Sequence, residues 1–491
     1  MPHATRWLVS LALVTTSTFA ADLPALQKAA TALGASNLRS IEYTGSGFDY
    51  ALGQAYEVDK AWPKFNDKTY TRLVSFEPWA TQLKRTRTQF ENPARGGGGQ
   101  PIAGEQNQTQ IVAAGTPAAA TVADDLALQL PQAFIKAATT AKDTSVTNGA
   151  RNGKSYQVVS YTAGNKAITR GWINSDGLLE RVETKIDNPA LGDIVYEVSY
   201  ENYKDFNGIQ FPTHIVQHQG GYPVLNITVS DVKINVPADI QAAAPAAPPA
   251  ALSSEKLSDG VYLITGGYAA VAVDLKDHIL IIEGGQNDQR SEAVINEVKR
   301  LFPGKPIGEL VNTHAHVDHL GGVRAYVAEG ATIVTHATNK AYYEKIWTNP
   351  HTLVPDKLAQ NPKPAKFKLV NDELTITDGN HVVKLYHERD FGHHAGAIFA
   401  YLPKEKILIE ADAFNPPATP ATQTPATISS FNQNLVANIE RLKLQVDRII
   451  PIHLPADNRK VTLAELYTAV GKSVAEVAKP AETKVAEAAA R

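Results

Sequence analysis

The sequence predicts an α+β protein in which a mainly antiparallel β domain precedes a layered α/β domain. Three observations carry this. Up to residue 236 the chain has the β-branched and aromatic texture of strands, cut by short turn signals. A proline- and alanine-rich stretch, residues 237–254, then interrupts it with a composition that cannot build a core. From Glu255 onward, near-continuous apolar runs alternate with helically spaced segments, the mark of strands and helices in layers.

Taken in order, Arg6 and the apolar stretch Trp7 to Phe19 lead to Thr18-Phe19-Ala20, small residues at cleavage spacing. Residues 1–20 therefore read as an export signal cut after Ala20, which predicts a periplasmic or secreted protein with no stable membrane anchor. Leu23 to Leu33 has helical spacing. Ser40 to Gly45, Tyr156 to Tyr161 and Ile194 to Tyr200 read as strands of a meander filling residues 21–236. Turns fall at Ser175-Asp176-Gly177, Phe206-Asn207-Gly208 and Gln219-Gly220-Gly221. Gly96 to Gly99 and the Gln/Asn-rich and Ala-rich sequence around them read as one flexible loop, about 91–122. No helix-opening Lys-Ser/Thr follows the glycines, so they are not a phosphate cradle.

In the second domain, residues 255–465, strands are expected at Gly260 to Ile264, Ala270 to Asp274, His278 to Glu283 and Ile307 to Asn312. His278 to Glu283 is apolar enough to be buried on both faces. Arg290 to Phe302 has helical spacing, and Phe431 to Gln445 is an amphipathic helix feeding the strand Val446 to Ile452. Residues 466–491 read as a helical or disordered tail.

Composition narrows the chemistry. The chain has 491 residues, 47 Lys+Arg against 50 Asp+Glu and no cysteine. Near-neutrality without a basic run argues against nucleic acid as a partner. Lack of cysteine removes disulfides, a thiolate nucleophile and any Cys-ligated metal, so a metal must be held by His and carboxylate.

The decisive segment is Thr313-His314-Ala315-His316-Val317-Asp318-His319-Leu320-Gly321-Gly322. Composition alone would produce His-x-His-x-Asp-His in roughly one such chain in a thousand. In extended chain His314 and His316 project to the same side. Asp318 and His319 lie at the turn into a helix expected to begin near Leu320, so one loop offers two sets of ligands. Three other apolar strands end in candidate ligands: Gly392-His393-His394-Ala395-Gly396, Glu410-Ala411-Asp412 and Pro451-Ile452-His453. Open α/β folds place their sites at such ends. Imidazole and carboxylate suit zinc, and two ions a few ångströms apart can share a hydroxide. Asp318 is the residue expected to orient that nucleophile and take its proton, for a small-molecule substrate. His336 ends the strand Thr332 to Thr335 and is a candidate for support behind the ligands.

These four segments, in this order, resemble the metallo-β-lactamase superfamily over about residues 255–465. The resemblance implies a four-layer αβ/βα sandwich and two zinc ions. It implies His314, His316 and His393 as one metal site and Asp318, His319 and His453 as the other, with Asp412 between them. His393 has the family spacing to Gly396. His394 stands where a hydroxyl or amide residue is usual, either orienting a ligand or substituting as one, and Ala411 where glycine is usual. The implied reaction is hydrolysis of an ester, lactone, thioester, amide or phosphoester by a metal-bridging hydroxide. A single iron serving a sulfur dioxygenase is the alternative within this ligand set, and a non-catalytic binding module is the alternative outside it. The first domain resembles the β half-barrels of periplasmic lipoprotein carriers in strand texture and in the segment DFNGIQFPTHI, Asp205 to Ile215. That resemblance implies an apolar ligand, a partner to present, or a cover for the pocket mouth.

Overall fold

The computed structural model describes residues 23–242, 251–420 and 423–472. Residues 1–20, part of the proline-rich stretch and the end of the chain after 472 lie outside the described residues. Among the described residues no helix is long and apolar enough to cross a membrane.

The first domain is one sheet of eleven antiparallel strands from Ser40 to Ile234, each beside its sequence neighbours except that the first also pairs with the eleventh and the fourth and fifth form the two opposite edges. Three helices, Pro24–Ala32, Ala119–Ala127 and Pro131–Thr140, pack on one face of it. Leu26, Leu33, Leu130, Phe134 and Ala138 from the helices close over Tyr43, Val74, Val198, Phe211 and Ile227 from the strands. Strand alternation puts every second side chain on that face. Farther along the same face the apolar lining gives way to charge. Asp67 stands opposite Arg87, and Arg85 opposite Tyr70. Both arginines pair with Asp49 at 3.0 Å.

Asp67 is buried with neither carboxylate oxygen hydrogen-bonded, and Arg85 comes no nearer than 3.8 Å. Burial, with Asp49 adding to it, pushes its pKa up to about 7. An unfolded aspartate titrates near 3.9. Between about 4 and 7 the folded chain therefore holds a proton that the unfolded chain releases, and stability from this group falls as pH rises through that window. Asp67→Asn is expected to raise Tm more at pH 8 than at pH 5. Melting curves showing the same change at both pH values would refute this.

The expected flexible loop 91–122 is corrected by the structure. Glu105–Val112 is a strand paired with Trp79–Gln89, and a helix follows from Ala119. The strand lies at the sheet edge, where one row of backbone bonds suffices and polar side chains are tolerated. Its Glu-Gln-Asn-Gln-Thr-Gln composition therefore carries no apolar signal.

The second domain holds two sheets. Seven strands from Ser253 to Val370 lie in sequence order, antiparallel at first and parallel from Ile279–Ile282 onward. Five strands from Glu373 to Pro451 form the other, and its last pair is parallel. Leu280, Ile282, Val311 and Val334 meet Val383, Leu385, Ile398 and Ile409 between the sheets. The alternate residues Ile279, Ile281, Leu310 and Ile333 face helices carrying Val294, Val298, Val323 and Tyr343. Phe399, Leu408 and Ile449 face the helix Ser430–Arg441 through Phe431, Leu435 and Ile439. The layers thus run helix, sheet, sheet, helix, and the strand Ile279–Ile282, within the expected His278 to Glu283, is buried on both faces as its composition requires.

The domains are joined at the ends of these strands. Ala55, Trp62, Leu191 and Ile194 of the first domain belong to the same apolar cluster as Leu320 and Tyr343 of the second. Gly53 shows how close the approach is: it has φ +67°, and a Cβ there would lie 2.1 Å from a methyl of Val317.

Candidate metal centre

The loop after the strand Ile307–Val311 carries His314 and His316 in extended chain, and His316 caps a helix that begins at Val317. The expected start near Leu320 is thus three residues too late: His316 already has extended cap geometry, and a Leu320 N–H bond to its carbonyl closes the first turn. Asp318 and His319 ride on that turn, and the His319 ring packs 4.2 Å from that of His314, so that His314, His319 and Asp412 also bring ligand atoms within 4.8 Å of one another. The helix can approach because a Cβ at Gly322 would fall 2.0 Å from Ser291 Oγ, space only glycine leaves free.

The seven expected ligands lie together. His314, His316 and His393 each bring a ring nitrogen within 4.8 Å of the others, and a carboxylate oxygen of Asp318 and ring nitrogens of His319 and His453 come equally close together. Asp412 touches both sets. Its Oδ2 is 2.9 Å from His319 Nε2, 3.4 Å from His393 Nε2 and 3.6 Å from His314 Nε2, while Oδ1 is 3.1 Å from His453 Nε2. Asp412 holds φ +67°, a left-handed backbone that costs a non-glycine residue energy and occurs where surrounding structure imposes it.

The hydrogen bonds behind the rings assign which nitrogens are free. Thr313 Oγ1 donates to Glu283 Oε2 at 2.6 Å, so toward His314 Nδ1, 3.1 Å away, it can only accept. The proton sits on Nδ1 and the Nε2 lone pair faces inward. His316 Nε2 donates to the Ala55 carbonyl at 2.9 Å, leaving Nδ1 bare. His319 Nδ1 faces Glu283 Oε2 at 3.4 Å, which turns its Nε2 toward Asp412 and His453. Bare His316 Nδ1 then lies 2.9 Å from His393 Nε2, which is 3.3 Å from bare His314 Nε2. Asp412 Oδ2 is buried among them, 2.9 Å from His319 Nε2. Imidazole nitrogens and a carboxylate oxygen crowded at this range out of water are the donor set a cation takes, so these residues fit a divalent metal.

The electrostatics agree. Burial, then the neighbouring imidazoles, lowers His314 well below the usual histidine range and His316 to about 3, which keeps both neutral. Burial would lower His319 too, but Asp318 and Asp412 raise it well above that range, so a proton occupies its place when no cation does. Burial works against ionised Asp412, yet His393 and His319 hold it well below the carboxylate range.

His394 and His336, the flanking candidates, stand behind the ligands. His394 Nδ1 accepts from Gly396 N–H, and its ring lies 5.0 Å from that of His316. Nε2 of His394 is buried without a partner. His336 turns to Thr338 at 2.8 Å and packs its ring 4.3 Å from His387, a residue with no signal in the sequence.

Three residues at the centre escape a reading by motif. Glu283 orients both His314, through Thr313, and His319. Its only signal is a carboxylate closing the apolar run His278 to Ile282. Tyr268 donates its hydroxyl to Asp318 Oδ2 at 2.9 Å, and Gln54 donates Nε2 to Asp318 Oδ1 at 2.8 Å. Gln54 comes from the first domain, more than 260 positions away, and no local pattern marks it. The glycine run comes from there as well: Gly96 N–H donates to the Gly392 carbonyl, and Gln100 Nε2 to the Asp412 carbonyl at 2.9 Å.

Residues 265–453 match the family model described as metallo-beta-lactamase superfamily. Solved structures similar to the chain include a metallo-beta-lactamase from Pontibacter korlensis, 19% identical, covering 45% of this chain and 98% of that one at a TM-score of 0.33. Another is the metallo-beta-lactamase FIM-1 from Pseudomonas aeruginosa in its mono-zinc form, 17% identical, with 47% and 99% covered and a TM-score of 0.35. A metallo beta lactamase from Hirschia baltica is 18% identical, with 44% and 95% covered and a TM-score of 0.33. No curated protein matches the chain.

Proposed function

Because residues 265–453 belong to the metallo-β-lactamase superfamily, we propose that this metal-dependent enzyme is an exported zinc hydrolase with two ions per chain. The observation that carries the reading is Asp412, whose two oxygens reach both sets of ligand nitrogens. His314, His316 and His393 would hold one ion, Asp318, His319 and His453 the other, with Asp412 shared. Divalent ions bound there supply a hydroxide nucleophile at neutral pH and polarise the bond under attack.

The protein's own contribution is positional. Glu283 fixes the tautomers of His314 and His319 so that their lone pairs face the ions. Asp318 is the partly exposed carboxylate of the cluster, 29% accessible at the side chain, so it meets solvent and substrate. Gln54 and Tyr268 hold its two oxygens in one plane. Burial and the neighbouring carboxylates push the Tyr268 hydroxyl far up, so it stays protonated and donates at any working pH. Asp318 in this setting takes the proton released as the nucleophile attacks and returns it to the leaving atom. The substrate is a small molecule with an acyl or phosphoryl centre. Residues 1–20 support export, and loading with metal would then follow outside the cytoplasm.

The test is metal content by mass spectrometry on chelator-free protein, beside Asp318→Ala. Two zinc ions per chain, one of them lost in the variant, together with hydrolysis of a lactone, β-lactam, thioester or phosphodiester, is the expected result. One iron per chain with oxygen uptake, or no metal, overturns it.

A further inference from the structure

A cavity of about 340 Å³ lies in the first domain directly against the metal centre. Its size is that of a small-ligand site. Two of its lining residues also belong to the centre: Gln54 bonds Asp318, and Gln100 bonds the carbonyl of Asp412. The rest of the wall is made by Gln89, Gln106, Gln108 and Arg87, with Phe65, Leu52, Pro101, Ile102, Ala51 and the backbone of the glycine run.

This lining is polar but carries little free charge. Arg87 is paired with Asp49 at 3.0 Å and lies over the Phe65 ring at 4.1 Å. Gln108 accepts from Arg85 and donates to Gln106 at 2.9 Å, which leaves the Gln106 amide N–H₂ with no protein acceptor among its hydrogen bonds. Gln100 and Gln108 use both ends of their amides within the protein; among the described residues, Gln54 keeps its oxygen and Gln89 and Gln106 keep their N–H₂ groups for a ligand, beside the apolar faces of Leu52, Phe65, Pro101 and Ile102. Such a wall does not suit an anion, since the arginine is paired, nor a purely aliphatic chain, which would strip water from those free amide ends without replacing their hydrogen bonds.

We propose that this cavity binds the non-reacting part of the substrate, and that this part is a neutral group rich in amides and hydroxyls. The assignment rests on the hydrolase reading for what happens next to the cavity, but binding in it does not require hydrolysis. A sugar bearing an acetamido group and a short peptide share this chemistry. Contact with the Gln54 amide would then place the substrate within reach of Asp318, so that occupancy of the first domain and chemistry in the second are linked through one side chain.

The glycine run offers a clean way to fill the cavity. Gly97 and Gly99 have φ of +99° and +90°, where any side chain is strained, but Gly98 does not, and a Cβ there would lie 3.8 Å from Gln54 Cδ. Gly98→Leu therefore occupies the space without forcing the backbone. Calorimetric titration of the metal-loaded protein with methyl N-acetylglucosaminide and, separately, with N-acetyl-alanyl-alanine amide tests the proposal with probes that report binding rather than turnover. Binding of either probe that weakens at least tenfold in Gly98→Leu, with metal content unchanged, is the expected result, and the probe that binds identifies the source. Should Gly98→Leu fail to fold, Gln106→Leu on the exposed edge strand serves instead, with a severalfold loss expected. No binding of either probe at 10 mM, or equal binding by wild type and variant, overturns the proposal whatever the hydrolase assays show.

Discussion

Asp412→Asn is expected to leave the fold intact and to abolish the paired metal centre. Asparagine keeps the volume and accepts the left-handed backbone at φ +67° better than most residues, so the change isolates the charge. What it removes is the single anion lying among His314, His319, His393 and His453. Loss of a residue that merely supports a ligand weakens metal binding roughly 10–100-fold; loss of a shared ligand should reach at least the upper end of that range. The expected readings are one metal or none per chain after dialysis, hydrolysis reduced at least a hundredfold, and a far-ultraviolet circular dichroism spectrum like that of the wild type. Retention of two ions by Asp412→Asn would show that the carboxylate is not shared.

Removing both donors to Asp318 should produce the next largest effect. Gln54→Leu or Tyr268→Phe leaves the carboxylate one fixed oxygen, and each should lower kcat about tenfold, the lower end of what ligand-supporting partners contribute. The double variant should fall short of the product of the two, because both act on one carboxylate. Burial opposes ionisation of Asp318, while His319 and His316, aided by the Gln54 bond, keep it below the usual range. Without the donors its pKa rises, so the acid limb of the pH–rate profile should move to higher pH. A purely structural role would instead lower Tm and leave that limb in place; that outcome would reassign both residues. Rescue by Gln54→Asn in part, and none by Gln54→Leu, would separate hydrogen bonding from packing.

How far the centre can be read from the sequence follows from where its parts lie. Strand and helix periodicity is local, and His278 to Glu283, Arg290 to Phe302 and Phe431 to Gln445 each carry it plainly. The edge strand Glu105–Val112 does not, because its stability comes from backbone bonds to one neighbour and its side chains are almost all polar. The ligands too are local signals: each is a His or Asp closing an apolar strand. Their grouping depends on the turn of helix at Val317, which carries Asp318 and His319 to the His453 side of the cluster while His319 stays packed against His314.

By itself, then, the sequence determined the α+β class, the absence of cysteine and the strand-end His and Asp residues that are candidate ligands, since all three are properties of composition or of short windows, while the choice of seven among them came from the family resemblance. Only the tertiary structure decided what surrounds them. Gln54, the Ala55 carbonyl and the glycine run reach the centre across a domain boundary, and Tyr268 and Glu283 reach it from neighbouring strand ends. Such residues need no pattern of their own. Their role arises when packing of Ala55, Trp62 and Ile194 against the Leu320 cluster brings two domains together, and that packing is a sum over residues far apart in the chain.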